Sequence, residues 1–486
     1  MTKAELQKKI ADLEKLLAIS LEENALLKTK ITELEKRLGL NSSNSSKPPS
    51  SDGLGKKLRT QSLRNKGKNS TGGQKGHKGR NLSQVAQPDK VMNHQVIFCP
   101  ECSKSLEAVE AAGTIRRQVF DIPPMAVHVT EHQAEVKTCD QCQTRVVATF
   151  PEGVNAPVQY GERIKAMAVY LNHQQLIPED RVQDVFCDLF DLQISTATIV
   201  KMGEALAAKV APYIEAVKDY LKGAPVKHAD ETGFRIGGHT RWLHVLCNDK
   251  ATVYVASQRR NDIAEGLKGV VCHDYFRPYF RLKGVKHALC NAHILRELKA
   301  LIEHEREPWA QQMSRLLAFA GQIAKDGVKI RRYKWRLAPL YDEIVERGLV
   351  YHEGLAPLPQ KRKGKPKRRD GHNLLLRLKG HKEDVLRCLD LSVPGVPFTN
   401  NQAEQDIRMM KVKQKISGGF RTMEGAETFA TIRSFLSTMR KQGHNLFEAI
   451  TTALSEQPTP LTAFNSKKAS WGVTPVPLLR ARLCEP

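Results

Sequence analysis

The chain has 486 residues, 76 of them Lys or Arg and 52 Asp or Glu, for a net charge of +24. That length exceeds one ordinary domain and implies two to four. A basic excess of this size points to DNA or RNA as partner. No apolar run approaches the roughly 18 residues of a membrane span, and the N-terminus has no apolar leader, so we expect a cytoplasmic, nucleoid-associated protein with no membrane partner. Four of the ten cysteines form two C-x-x-C pairs and six are scattered. This reads as metal ligands plus ordinary thiols rather than a disulfide frame.

Residues 4–39 carry a heptad. Leu6, Leu13, Leu27 and Leu34 fall at d; Ile10, Leu17, Ile31 and Leu38 fall at a. Asn24 is a polar a, a device that fixes register and dimer state at some cost in stability. Residues 1–40 are therefore expected to form a coiled coil (a leucine zipper) that makes a homodimer or higher oligomer. The alternative is an amphipathic helix packed on its own domain. Residues 41–90 open with NSSNSSKPPSSD and continue rich in Lys, Arg, Gly and Gln, a basic flexible linker suited to weak phosphate contact.

Cys99, Cys102, Cys139 and Cys142 supply four thiolates, a tetrahedral set for structural Zn2+. Between the pairs, VFDIPPMAVHVTEHQAEV alternates and is β-prone, which suggests a small zinc ribbon over residues 91–150. The 36 intervening residues exceed the usual spacing, and two pairs of unligated thiols are the alternative. Residues 157–222 read as helices. Glu179 to Leu189 is amphipathic, Asp191-Leu-Gln is a turn, and Ser195 caps a second helix through Leu206. That is the layout of a helix-turn-helix, set against plain helical packing.

The character then changes to β. Val226, His228, Asp230, Thr232 and Phe234 share one face of a strand, with a turn at Gly237-Gly238-His239. Arg241 to Cys247 and Ala251 to Ala256 follow as strands, 260–268 as a helix, and Gly269 to His273 as a buried strand ending at Asp274. His287 to Cys290 is a further candidate strand, running into a helix from Ala292. A three-stranded meander, a helix and another strand is the order of a ribonuclease-H-like core, spanning 223–300 and 390–450. Between these halves, 301–389 reads as a helical insertion with the basic loop KRKGKPKRR at 361–369, and 451–486 as an irregular tail. The fold class expected is multidomain α/β.

The stretch Pro397 to Thr422 is the most informative. Thr399, Asn400 and Asn401 are good helix caps, and Gly418-Gly419 is a good stop. Glu404, Arg408, Lys411 and Lys415 fall at offsets of four, seven and eleven, one carboxylate and three cations on one helix face. Such a face is often merely solvated. With Asp230 and Asp274 upstream it gains a second reading, a metal site beside a phosphate grip. His228 faces the same way as Asp230 and reads best as a satisfied core histidine. Glu231 points to the opposite face of its strand and is the least favoured carboxylate.

The segments HADETGFRIGG, VCHDYF, CNAHILREL and VPFTNNQAEQDIRMMKVKQKISGGFRT resemble the catalytic segments of the insertion-sequence sixty-six family of bacterial transposases. The zipper, the linker and the paired C-x-x-C resemble that family's N-terminal modules, so the likeness covers roughly residues 1–450. The resemblance implies a DDE transposase whose acidic triad is Asp230, Asp274 and Glu404, with Lys411 at the basic position that often follows the glutamate. It matches Cys290 and His293 to a C-x-x-H pair, for which a structural role is expected, since two ligands cannot hold a metal alone. It also implies small accessory proteins as partners. Three hard carboxylates suit Mg2+ or Mn2+, and a pair of such ions serves in-line phosphodiester chemistry. Arg408 and Lys415 would then hold the DNA strand. A non-enzymatic DNA-binding protein and a ribonuclease-H-like nuclease acting on RNA or junctions are the competing readings.

Overall fold

A computed structural model describes residues 3–39, 44, 82–356, 358 and 368–455. Most of the linker, the basic run at 361–367 and the tail from 456 lie outside the described residues. The first helix, α1 (Lys3–Gly39), runs unbroken through the heptads. Ile10, Leu13, Leu17, Leu27, Ile31, Leu34 and Leu38 are all more than half exposed along it, so the described residues do not cover its apolar stripe. Asn24 Nδ2 donates to Ser20 O, 2.9 Å away, within the same helix. No helix among the described residues is long and apolar enough to cross a membrane.

Two three-residue strands, β1 (Val136–Thr138) and β2 (Arg145–Val147), pair antiparallel around the second C-x-x-C. The first pair is flanked only by the bridge Phe98–Ser105. Of the β-prone segment between the pairs, only Val136 at its end enters a strand. VFDIPPMAV has no ladder partner, its two prolines remove donors, and Val119 and Ile122 are exposed.

A helical layer follows: α2 (Glu162–Val169), a π-helical turn (Tyr170–Gln174), α3 (Glu179–Phe190) and α4 (Thr196–Gly223). Ser195 caps α4 as expected, its hydroxyl accepting from Thr198 N at 3.1 Å. The helix does not stop near Leu206. It continues through Pro212, and Val210, Ile214, Val217 and Leu221 keep an i, i+3, i+4 stripe buried. That stripe packs with helices from the far end of the chain and with Ala251 and Val253, so residues 166–221 and 432–454 share one hydrophobic core.

The central sheet contains β3 (Val226–Ile236), β4 (His239–Cys247), β5 (Thr252–Ser257), β6 (Gly269–His273) and β7 (Val285–Leu289), in the spatial order β5-β4-β3-β6-β7. The first three form an antiparallel meander; β6 and β7 join parallel. Gly237 and Gly238 have φ of 52° and 80° and join paired Ile236 and His239, the two-residue turn that matches strand twist. Residues 260–268 are turns and irregular chain, not the expected helix. Arg260 is the reason given by the structure: it is held by a carboxylate on β3 rather than along a helix.

After β7 come α5 (Asn291–Ala300), a π-helical turn (Leu301–Glu305), α6 (Pro308–Ile323), α7 (Gly327–Glu353), α8 (Asp370–Gly380) and α9 (Lys382–Val385), packed around Leu298, Trp309, Met313, Leu317, Tyr341 and Leu375. Near the end of the helical insertion the chain breaks at His381, between α8 and α9, and closes with a 3-10 turn at Arg387–Leu389. The chain returns as α10 (Asn401–Ser417), α11 (Met423–Lys441) and α12 (Leu446–Ser455). Ala403, Ile407 and Met410 of α10 bury against Phe234, Leu243 and Val245. Asp406 faces another way, accepting from Thr252 Oγ1 at 2.9 Å and pairing with Lys441 at 2.6 Å.

The end of α10 is pinned by close backbone approach. Gly418 has φ of 69°, and Phe420 N donates to Arg235 O at 3.0 Å. A Cβ on Gly419 would sit 2.5 Å from Arg235 O. Gly419→Ala should therefore push this return off β3 and lower stability by about 1–3 kcal/mol, read as a shift in denaturant midpoint. An unchanged midpoint would mean the return strand is not held as described.

Candidate active site and metal centres

The parallel strands put the two aspartates side by side. His228 pairs with Cys272 on β3 and β6, so Asp230 and Asp274, each two residues on, leave that ladder in step. Cys272 in turn pairs with Ala288 on β7, which places Cys290 as the third member of the row. The row lies past the carboxyl ends of β6 and β7, where parallel sheets place their ligand sites. Each aspartate accepts one backbone bond, Asp230 from Glu231 N and Asp274 from Phe276 N, both at 2.9 Å. Burial, then the charges of Glu231, Asp274 and Glu404, hold the Asp230 carboxyl well above the usual range. Burial and the Glu231 charge push Asp274 up to about 6. Two partly buried carboxyls that resist ionising together form a pair that a divalent cation would relieve.

Glu231 lies on the other face of β3 with its side chain almost fully buried. Arg260 donates to its Oε1 through Nε and Nη2 at 3.0 and 2.8 Å, and Tyr279 OH donates to Oε2 at 2.7 Å. The Arg260 guanidinium stacks 3.9 Å from the Phe276 ring centre. Glu231 is thus a structural carboxylate that fastens the loop after Asp274 to β3. Sequence reasoning missed Arg260 and Tyr279. A lone arginine in a segment read as helical carries no signal of its own.

Asn400 fixes the start of α10. It does not cap the helix with its side chain. Instead its Nδ2 donates to Ala229 O at 2.8 Å, its Oδ1 meets His228 Nδ1 at 2.8 Å, and its backbone N–H donates to Cys290 Sγ at 3.2 Å. His228 is the satisfied core histidine expected. One turn on, Glu404 reaches the cleft, with Oε1 3.8 Å from both Cys290 Sγ and His293 Nδ1 and 4.0 Å from Arg296 Nη2. Among the described residues, the set of three His, Cys, Asp or Glu ligand atoms within 4.8 Å of one another is Cys290, His293 and Glu404. Asp230, Asp274 and Glu404 are neighbours by charge but do not form such a set, and neither do the four paired cysteines. Farther along α10, Arg408 and Lys415 are exposed. Lys411 turns its ammonium onto Gly233 O of β3 at 2.8 Å.

The cysteine pairs form two knuckles of the same build. Ser103 N donates to Cys99 O and Gln143 N to Cys139 O, both at 2.9 Å. Cys99 N donates to Lys104 O at 3.0 Å and Cys139 N to Thr144 O at 2.9 Å. Ser103 and Gln143 carry matching positive φ of 58° and 57°. Hydrogen bonds lower the thiol pKa of Cys99, and those from Thr144 lower that of Cys142 to about 7. Turns that each present two thiols, one of them made more acidic, are fit for zinc.

A model of the "Transposase IS66 family" matches residues 157–428, more than half of the chain. The chain belongs to the IS66 transposase family. A "zinc-finger binding domain of transposase IS66" matches residues 98–143, which span both knuckles, and supports a structural zinc there. A family of unknown function, DUF6444, matches residues 1–83. An uncharacterized protein, y4jO, of Sinorhizobium fredii (strain NBRC 101917 / NGR234) is 30% identical over 103 residues. That match takes in 21% of this transposase-family chain and spans about a third, 32%, of y4jO's length.

Two outcomes follow from the site's electrostatics and anchoring. Asn400→Ala would leave His228 and Ala229 O without their partner inside the protein, costing about 1–3 kcal/mol, and chemical denaturation should read that loss; a neutral result removes Asn400 as the anchor of α10. For Asp274, the folded pKa lies above the unfolded one. The folded state keeps a proton that the unfolded chain has released, so stability falls as pH rises from roughly 4 through about 6 and the loss is complete above. In metal-free buffer at pH 7, Asp274→Asn should therefore be more stable than wild type, by on the order of 2 kcal/mol, with a flatter melting-temperature profile between pH 5 and 7. Equal profiles would show that Asp274 titrates normally.

Proposed function

We propose that the protein is a DDE transposase that binds the ends of an insertion sequence, cuts them by metal-dependent phosphodiester hydrolysis and joins the freed 3′-hydroxyls to target DNA. The observation that carries this reading is the in-step pair Asp230 and Asp274, two carboxyls that repel across adjacent parallel strands. The antiparallel meander followed by two parallel strands supports a ribonuclease-H-like core. Asp406 is engaged on the far side of α10, which favours Glu404 as the third acid.

In this reading Asp230, Asp274 and Glu404 hold Mg2+ or Mn2+, which when bound polarise the scissile phosphate and make water or a 3′-hydroxyl a better nucleophile. Arg408 and Lys415, exposed beyond Glu404 on the same helix, grip backbone phosphates and set the strand's position. Lys411 bonds β3 through Gly233, so it holds α10 to the strand that carries Asp230 while adding positive potential. No side chain need act as a covalent nucleophile.

The uncovered stripe of α1, with Asn24 among its a positions, supports pairing with a second copy as a coiled coil. Thr196, Val200 and Lys201 on the outer face of α4 are the side chains available for a DNA groove if α3 and α4 read DNA. The net charge supports DNA as the partner. A cytoplasmic setting and small accessory proteins are what the family membership implies.

Strand cleavage and joining on DNA carrying the host element's ends, with Mg2+ and the accessory proteins supplied, tests this. Asp230→Asn, Asp274→Asn and Glu404→Gln should each lower cutting by at least about a thousandfold while end binding stays within a few-fold. Specific binding with no cutting by the wild type would point instead to a non-enzymatic DNA-binding protein.

A further inference from the structure

Glu404 sits among softer partners than the aspartates. Its Oε1 is 3.8 Å from Cys290 Sγ and 3.8 Å from His293 Nδ1. Donors around one tetrahedral zinc, at bond lengths of about 2.0–2.3 Å, stand about 3.3–3.8 Å apart. The separations are thus those of a set nearly closed on a single ion.

The elements that carry these donors are clamped together. Cys290 and His293 are one turn apart at the start of α5, and Glu404 is in the first turn of α10. Asn291 N donates to Phe398 O at 3.2 Å, and Asn400 N donates to Cys290 Sγ at 3.2 Å. Burial and the Glu404 charge push the Cys290 thiol up to about 12, while the amides of Asn400, Ala292 and His293 act the other way and favour the thiolate. Amide bonds to sulfur are the outer support that a metal-bound thiolate takes. His293 Nδ1 is buried and has no hydrogen-bond partner, an orphan that a ligand would satisfy. Beside Cys290 and His293 lies a cavity of about 20 Å³, lined also by Tyr275, Leu374 and Arg377 and large enough for one water. Arg296 also lies 4.0 Å from the same Glu404 oxygen and is partly exposed.

We infer that Cys290, His293 and Glu404 form a further metal site for a thiophilic divalent cation of the Zn2+ class, with water as fourth ligand, and that filling it holds Glu404 away from Asp230 and Asp274. Sulfur and imidazole select Zn2+ over Mg2+, whereas the two aspartates offer only the hard oxygen ligands that suit Mg2+. The second half of the inference rests on the acidic-triad reading above. Zinc and magnesium then compete for one carboxylate, and zinc at this site is inhibitory.

The full-length protein, stripped of metal and titrated with Co2+ as a spectroscopic substitute for Zn2+, tests the site. A thiolate-to-cobalt absorption component should be missing in Cys290→Ser and shifted at least tenfold to higher Co2+ in His293→Gln, yet persist in Cys139→Ser, where a knuckle is broken. His293→Gln keeps the buried thiol in place, so it decides the matter if Cys290→Ser does not fold. Titrations of Cys290→Ser or His293→Gln that match wild type overturn the site. In the cleavage assay, the ratio of Mg2+-dependent cutting without and with added Zn2+ should fall at least tenfold in His293→Gln relative to wild type; an unchanged ratio overturns the inhibitory role. If the wild type does not cut at all, the triad reading fails, and the cobalt titration still decides the site.

Discussion

One buried amide holds the candidate site together. Asn400 touches β3 twice, through Ala229 O and His228, and touches the end of β7 through Cys290 Sγ. Asp230 follows Ala229 directly, and Glu404 N bonds back to Asn400 O at 3.2 Å. The separation between the first and third acids is therefore set by a few short, buried hydrogen bonds rather than by long-range packing. Such bonds are strongly directional, and losing a partner in a dry environment is costly. Packing of Ala403, Ile407 and Met410 then keeps the helix down on the sheet.

Around that knot the protein accumulates like charge. Asp230, Glu231, Asp274 and Glu404 crowd the ends of two parallel strands. Only Glu231 is neutralised locally, by Arg260 and Tyr279. The other three are left with backbone donors or with weak, distant partners. In the reading proposed above, a bound divalent cation would offset that cost. The cations of α10 do not fill that role, because Lys411 is engaged with a carbonyl and Arg408 and Lys415 point to solvent.

Much of this was legible in the sequence, and unevenly so. Alternation along Val226 to Phe234 and the apolar run before Asp274 revealed β3 and β6, because a strand's period is written directly in its residues. The offsets from Glu404 to Lys415 revealed the helix face. What failed depended on partners far away in the chain. Residues 260–268 read as a helix because nothing local announces that Arg260 serves Glu231. Asn400 read as a cap because its true partners, His228 and Ala229, lie about 170 residues upstream. Cys290 and His293 were seen as a pair lacking a third ligand, since strand register and helix return are needed to bring Glu404 to them. The ribbon expected between the cysteines reduces to two knuckles and a three-residue ladder, because prolines and exposed apolar residues give that segment no sheet to join.

The clamp between Asn291 N and Phe398 O has one more effect. The polypeptide leaves the sheet and comes back at points a single hydrogen bond apart. Everything from α6 to the last 3-10 turn is an excursion whose start and finish are already joined, so its contour length does not enter the spacing between β7 and α10. The entropic charge for a longer detour grows only slowly with its size. Length can thus change in the connections between bundle helices while the row of side chains past β6 and β7 stays in place. By contrast α8, whose Leu374 and Arg377 line the cavity beside Cys290, is held to that row.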